Sequence, residues 1–163
     1  MRCFLTSLLR RLALEERGVA LVEMTLVTPF LLVLSAGVFE FSNILHTRLL
    51  IEAGVTDAAR YIARCSDPQE TCESRAKNIA VYGDVTGTEL RVAGWSTDDV
   101  AMAYTPTPAV DADGNLVYRS NTANVEVVDV TATYTYSGTG LWSFLGFGAL
   151  TLSASHEERI IGW

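Results

Sequence analysis

Residues 19–45 read VALVEMTLVTPFLLVLSAGVFEFSNIL, and within them the only charged side chains are Glu23 and Glu40. At about 1.5 Å per residue this stretch makes a helix of roughly 40 Å, longer than the ~30 Å hydrocarbon core of a bilayer. The run therefore predicts a membrane-crossing helix. Everything else in the chain is placed by which side of it falls where. Before Val19 stand Arg2, Arg10, Arg11 and Arg17 against Glu15 and Glu16, a net charge of +2. From Arg48 onward 8 basic residues face 15 acidic ones, a net of −7. Basic flanks stay cytoplasmic, so the arginine-bearing segment is expected inside and the acidic bulk outside.

Composition supports the same division. In 163 residues, 49% are hydrophobic and only 19% charged, which excludes a disordered chain and suits one modest domain plus an apolar segment. The net charge of −7 has the wrong sign for a phosphate-binding surface, so nucleic acid is not an expected partner. Three readings of the N-terminal third compete. A secretory signal has an apolar run of roughly 7–15 residues and an Ala-x-Ala-like exit, whereas this run is about twice as long and offers only Ser35-Ala36-Gly37. A plain uncleaved anchor fits in length but gives no reason for Glu23. An ionisable group in an apolar run costs about 2.5–3.5 kcal/mol at mid-bilayer and needs a partner.

The partner is supplied by a resemblance. Arg17-Gly18-Val19-Ala20-Leu21-Val22-Glu23-Met24 resembles the class III signal of type IV pilins and pseudopilins: a basic leader, a glycine before the cut and a glutamate fifth after it. Thr25-Leu26-Val27-Thr28-Pro29-Phe30-Leu31-Leu32, followed by Gly37-Val38-Phe39-Glu40-Phe41, is similar to the TadE-like family of minor pseudopilins from Flp (Tad) pilus systems. The likeness runs from about Gly18 to Ile62 and weakens beyond. It implies cleavage between Gly18 and Val19 by a prepilin peptidase, with Glu23 neutralising the new amino terminus of Val19 on its own chain or on a neighbour. An ion pair in a low-dielectric setting is stronger than a surface one. Gly18 lets the protease approach the backbone closely; its ordinary alternative is a helix-start glycine. The resemblance also implies other pilins or pseudopilins and Tad inner-membrane assembly proteins as partners, and a bacterial inner-membrane location with a single pass.

Pro29 removes one helical hydrogen bond and is expected to kink or loosen the helix, either for leaving the bilayer during assembly or as an ordinary membrane-helix proline. Glu40, near the outer end of the run, is expected to reach interfacial water, with a subunit contact as the alternative. Beyond it, Ile44, Leu45, Leu49, Ile51, Val55, Ala58, Ala59 and Ile62 recur at helical spacing, with Arg48, Glu52, Asp57, Arg60 and Arg64 on other faces, so the helix should continue outside the membrane with one stripe packed.

Asp67, Pro68 and Glu70 form a capping-box variant predicting a second helix over 68–82, ended by Gly83. Cys65 and Cys72 flank this start, outside the membrane, where a disulfide is the favoured reading and two buried free thiols the alternative. Zinc needs more ligands than His46 and His156 provide, so no metal is expected.

Alternation predicts strands at Thr88–Trp95, Asp99–Tyr104, Val125–Tyr136 and Leu150–Ile161, making an antiparallel sheet against the long helix. Thr105–Asn124, with Pro106, Pro108 and Asp113-Gly114, reads as a loop with a tight hairpin turn. Asp111, Asp113 and Asn115 resemble the start of a calcium loop, but Gly114 is misplaced and the twelfth position is Thr122. The segment Gly138–Gly148, with Trp142, Phe144 and Phe147, is too apolar for an exposed loop and should bury in the head's core or at an interface.

No enzyme is expected. There are two histidines and no serine in a nucleophile elbow, and Glu157 and Glu158 are adjacent on a strand and so point to opposite faces. No cofactor is implied. The predicted architecture is α+β. It has a basic cytoplasmic leader over 1–18, a transmembrane part over 19–45 and an extracytoplasmic head over 46–163, with its sheet within 88–161. The expected function is a minor pseudopilin of a Flp (Tad) pilus; the alternatives are an uncleaved anchored binding module of the envelope and, third, a secreted enzyme.

Overall fold

A computed structural model of the chain describes residues 16–66, 71–120, 123–138, 140, 146 and 148–161. The long helix is present as one element, α1 (Glu16–Ala63), which passes through Pro29 without a break in assignment. Ser42 and Asn43 mark the border between two compact units. In the first unit the apolar side chains of α1 lie bare on all sides: Val19, Leu21, Leu26, Phe30 and Phe39 are each more than half exposed. A soluble helix hides such residues along one stripe, so this surface calls for lipid or another apolar surface.

From Asn43 onward the helix becomes one-sided. Ile44, Ile51, Val55, Ala58, Ala59 and Ile62 are buried, at the helical spacing read from the sequence, whereas Leu45 and Leu49, expected in the same stripe, are exposed. They join Val128, Val130, Ala132 and Leu152 in one core cluster. Burying an Ile or Val side chain contributes about 1.5–3 kcal/mol, so this stripe dominates the attachment of sheet to helix.

The second helix, α2 (Glu73–Tyr82), buries Ala76, Ala80 and Val81, and an ion pair links Lys77 to Glu73 at 2.9 Å. It ends on Gly83 at φ 76, whose N–H donates to the Ile79 carbonyl, as the glycine position predicted. Its N-cap is Cys72, without a side-chain cap. The expected cap of Asp67, Pro68 and Glu70 lies outside the described residues. Cys65 and Cys72 are joined in a disulfide with a Cα–Cα distance of 6.5 Å. Small residues let the two helices approach: a Cβ on Gly54 would run into the Ala80 carbonyl oxygen and come within 3.0 Å of the Trp95 ring.

A 3-10 turn, η1 (Thr97–Asp99), follows. Its capping box is complete, with Ser96 Oγ accepting from Asp98 N and Asp99 Oδ2 accepting from Ser96 N. Then come three antiparallel strands, β1 (Val100–Pro108), β2 (Asn124–Tyr136) and β3 (Leu150–Arg159), in the order β1-β2-β3. The register aligns Val100 with Ala132 and Val130 with His156. On β2, Val128, Val130, Ala132 and Tyr136 point to the core by simple alternation.

Two strand expectations need correction. Thr88–Trp95 is irregular, not a strand; its apolar residues Val92 and Trp95 are buried as single anchors instead of alternating along an edge. Conversely, β1 runs on through Pro106 and Pro108, which were expected in a loop. Because β1 is an edge strand, two prolines spaced by two residues place both missing N–H groups along the same rim, away from β2. The rest of the loop does hold a turn: Gly114 has φ 82, and Asp111 Oδ1 accepts from the N–H groups of Asp113 at 3.0 Å and Asn115 at 2.7 Å. Most of the apolar segment 138–148, including Trp142, Phe144 and Phe147, lies outside the described residues.

Candidate functional site

The residues singled out at the N-terminus all sit on α1. Gly18 is in its first turn, Val19 is 59% exposed, and Glu23 is exposed one turn beyond Val19. Val19 and Glu23 are four apart, hence on one face, and helical side chains lean toward the N-terminus, so the carboxylate of Glu23 is directed over the turn that holds Val19. Around them Leu21, Val22, Met24 and Leu26 are between 66% and 76% exposed. The acid therefore stands in an otherwise apolar field.

Pro29 has no N–H to give the carbonyl four residues earlier, that of Thr25. Threonine hydroxyls add bonds along the preceding turns, from Thr25 Oγ1 to Leu21 O at 2.7 Å and from Thr28 Oγ1 to Met24 O at 2.6 Å. Such back-bonding satisfies a second lone pair on carbonyls beside the gap.

Glu40 departs from the expectation that it reaches interfacial water: it is buried, 2% exposed, and is not left without a partner. Burying a carboxylate is costly unless it is bonded, so Glu40 is a fixed structural element here instead of a wetted rim charge. Nothing in the sequence run marked it for burial. The disulfide half-cystines Cys65 and Cys72 are brought together, as favoured. The calcium-like triad is committed to its own turn: the Asn115 backbone N–H, its side-chain amide, and the N–H groups of Asp113 and Gly114 hold the Asp111 carboxyl below the usual carboxylate range. Among the described residues no cluster of three or more His, Cys, Asp or Glu is arranged to hold a metal.

Residues 18–60 match the family model TadE, described as TadE-like protein. This part of the chain is TadE-like. The TadE-like segment starts at Gly18, where the basic prefix meets the apolar run, and ends within α1, so it takes in Val19, Glu23, Pro29 and Glu40 but neither cysteine and no part of the sheet. No curated protein and no solved structure matches the chain. A TadE-like segment points to a Tad pilus-associated protein with pilus-related assembly partners. The apolar helix, Gly18–Ala63 by length and composition, is compatible with a membrane anchor.

Proposed function

We propose that this protein is a minor pseudopilin of a Flp (Tad) pilus system, a structural subunit and not an enzyme. A prepilin peptidase cuts between Gly18 and Val19 at the cytoplasmic face of the inner membrane. The cut exposes an α-amino cation and the first unsatisfied N–H groups of the helix, both of which favour an anion nearby. Glu23 supplies it, within the chain or across to the next subunit. Without that pairing an uncompensated charge sits against lipid, at a cost of a few kcal/mol.

The remaining residues follow from this placement. The bare apolar stretch of α1 holds the subunit in the bilayer before assembly and packs on other pilin helices after it. Pro29 weakens the helix locally for that transfer. The acidic head stays extracytoplasmic, where the Cys65–Cys72 disulfide persists. Other pilins and the Tad inner-membrane proteins are its partners.

The observation that carries this reading is the coincidence of three features at one point: the start of the TadE-like match at Gly18, the end of the arginine-rich prefix, and an exposed glutamate four residues after Val19. The deciding experiment is mass spectrometry of the mature N-terminus from cells that contain the cognate peptidase. A Val19 terminus supports the proposal, a Met1 terminus replaces it with a permanently anchored module, and a terminus near Val38 indicates a secreted form.

A further inference from the structure

Charge is segregated within the acidic head. Of its eight basic residues, Arg60, Arg64, Arg119 and Arg159 line two adjoining recesses that share Arg159 and Ile161. The larger, of about 720 Å³, is walled by Leu116, Arg119, Glu126, Arg159, Ile160 and Ile161 among others. The smaller, of about 230 Å³, is lined by Arg60, Ala63, Arg64, Glu158 and again Arg159. Two main-chain bonds build the junction, Ile160 N to Glu126 O and Ile161 N to Ala63 O, each 2.8 Å.

Among the described residues none of these four arginines is in a salt bridge. Arg60 and Arg64 stand four apart on α1, a like-charge pair that repels, and the helix C-terminus offsets only part of that. Among the described residues neither takes part in an ion pair, and the Glu158 carboxylate is engaged by His156 at 3.2 Å. Arg159 lies 5.8 Å from the centre of the Tyr118 ring, a contact that orients the guanidinium without neutralising it. Beside the charges, Leu116 is 73% exposed, Val117 54% and Ile161 52%. Apolar side chains beside a rim on which four arginines outnumber Glu126 and Glu158 recognise a carboxylate placed next to an apolar side chain.

The head carries that element itself. The loop after α2 is pinned at both ends: Asn78 Nδ2 donates to Val85 O at 2.9 Å, the Thr86 hydroxyl bonds the Asp84 carboxylate, and Arg91 N donates to Val81 O at 2.8 Å. It displays two acid–apolar neighbours, Asp84-Val85 and Glu89-Leu90, with Val85 39% and Leu90 42% exposed. A loop already held in shape loses little entropy on docking. None of its residues lines either recess.

We infer that the arginine-rimmed recess of one copy receives the Asp84–Leu90 loop of a second copy, with an apolar side chain in the larger recess and the carboxylates on Arg119 and Arg159. An anionic bilayer is a poorer occupant, because a flat surface does not enter a recess and a head of net charge −7 is repelled by it. Donor and acceptor surfaces differ, so the contact is head-to-tail, and each added copy still presents one free recess and one free loop. The inference stands apart from N-terminal processing.

The test uses the full chain in zwitterionic nanodiscs, with benzoylphenylalanine at Leu116 and a mixture of light and isotopically heavy copies. Irradiation should join position 116 of one copy to residues 84–90 of another, in mixed light–heavy products. Arg119→Glu/Arg159→Glu should lower the yield by about tenfold, since two ion pairs become repulsions. Partnering that chain with Asp84→Arg/Glu89→Arg copies should restore it. The loop variant alone, which leaves the recess and its Tyr118 contact untouched, should lower the yield against wild type equally. Products that join only lipid or a single chain, no product at all, an undiminished yield in the loop variant, or no rescue in the reversed pair each overturn the inference.

Discussion

The guanidinium of Arg91 donates to Oδ2 of Asp57 at 2.6 Å, tying the irregular segment before η1 to α1 across 34 positions of sequence. The Arg91 side chain is 20% exposed and that of Asp57 45%, so water screens part of the attraction. Arg91→Ala should lower unfolding stability by about 1 kcal/mol, at the upper end for an accessible pair. A double-mutant cycle with Asp57→Ala, read from urea midpoints, checks that the loss is the pair's and not only lost packing.

Gly54→Ala gains intrinsic helix propensity of about 1 kcal/mol, yet it should destabilise the head. The new methyl meets the backbone of Ala80, which cannot swing aside as a side-chain tip can, and the Trp95 ring at 3.0 Å. Overpacking of this kind costs about 1–3 kcal/mol, so a net loss in thermal unfolding is expected, together with altered Trp95 fluorescence. An unchanged melting temperature refutes the close approach.

Cys65 and Cys72 are seven positions apart, and closing so short a loop restrains the unfolded chain modestly. Cys65→Ser/Cys72→Ser should lose about 2 kcal/mol of stability. The same loss should follow from adding reductant to the wild-type head, while the mature N-terminus stays the same under both conditions.

The Tyr104 phenol is pushed up to about 12 by burial and, less strongly, by the negative charges of Glu73 and Glu126. An unfolded tyrosine ionises near 10. The native state thus keeps a proton that the unfolded chain gives up, and the stability this confers is present below pH 10 and lost as pH rises toward 12. Phenolate absorbance should show a late-titrating component that is missing in Tyr104→Phe, and that variant should lose less stability over the same interval.

Glu23→Ala should still be cut after Gly18 but should enter assemblies poorly, because the cut site is read before the amine exists. Cross-linking yields into pilus material measure the second effect, and terminal sequencing the first. Normal incorporation of the variant removes the role proposed for Glu23.

Periodicity made α1, β2 and β3 legible in the sequence, since a long apolar run, a helical stripe and a mostly alternating pattern each report on which face is buried. Gly83 was equally readable, because a helix end needing positive φ favours glycine. Thr88–Trp95 misled because Val92 and Trp95 are buried without forming a strand. Pro106 and Pro108 misled in the other direction, as proline forbids a central strand but not an edge one. The burial of Glu40 and the convergence of Arg60, Arg64, Arg119 and Arg159 had no local signal. Those four arginines are spread over a hundred positions of sequence and meet only through the tertiary fold.

Pro106 and Pro108 carry a further meaning wherever two copies of the head meet. With amide hydrogens gone from that rim, a foreign backbone finds no continuous ladder to extend, and crowded heads cannot zip together through β1. Recognition between neighbours is thereby left to side chains, whose charges can be read and refused, and not to the indiscriminate backbone.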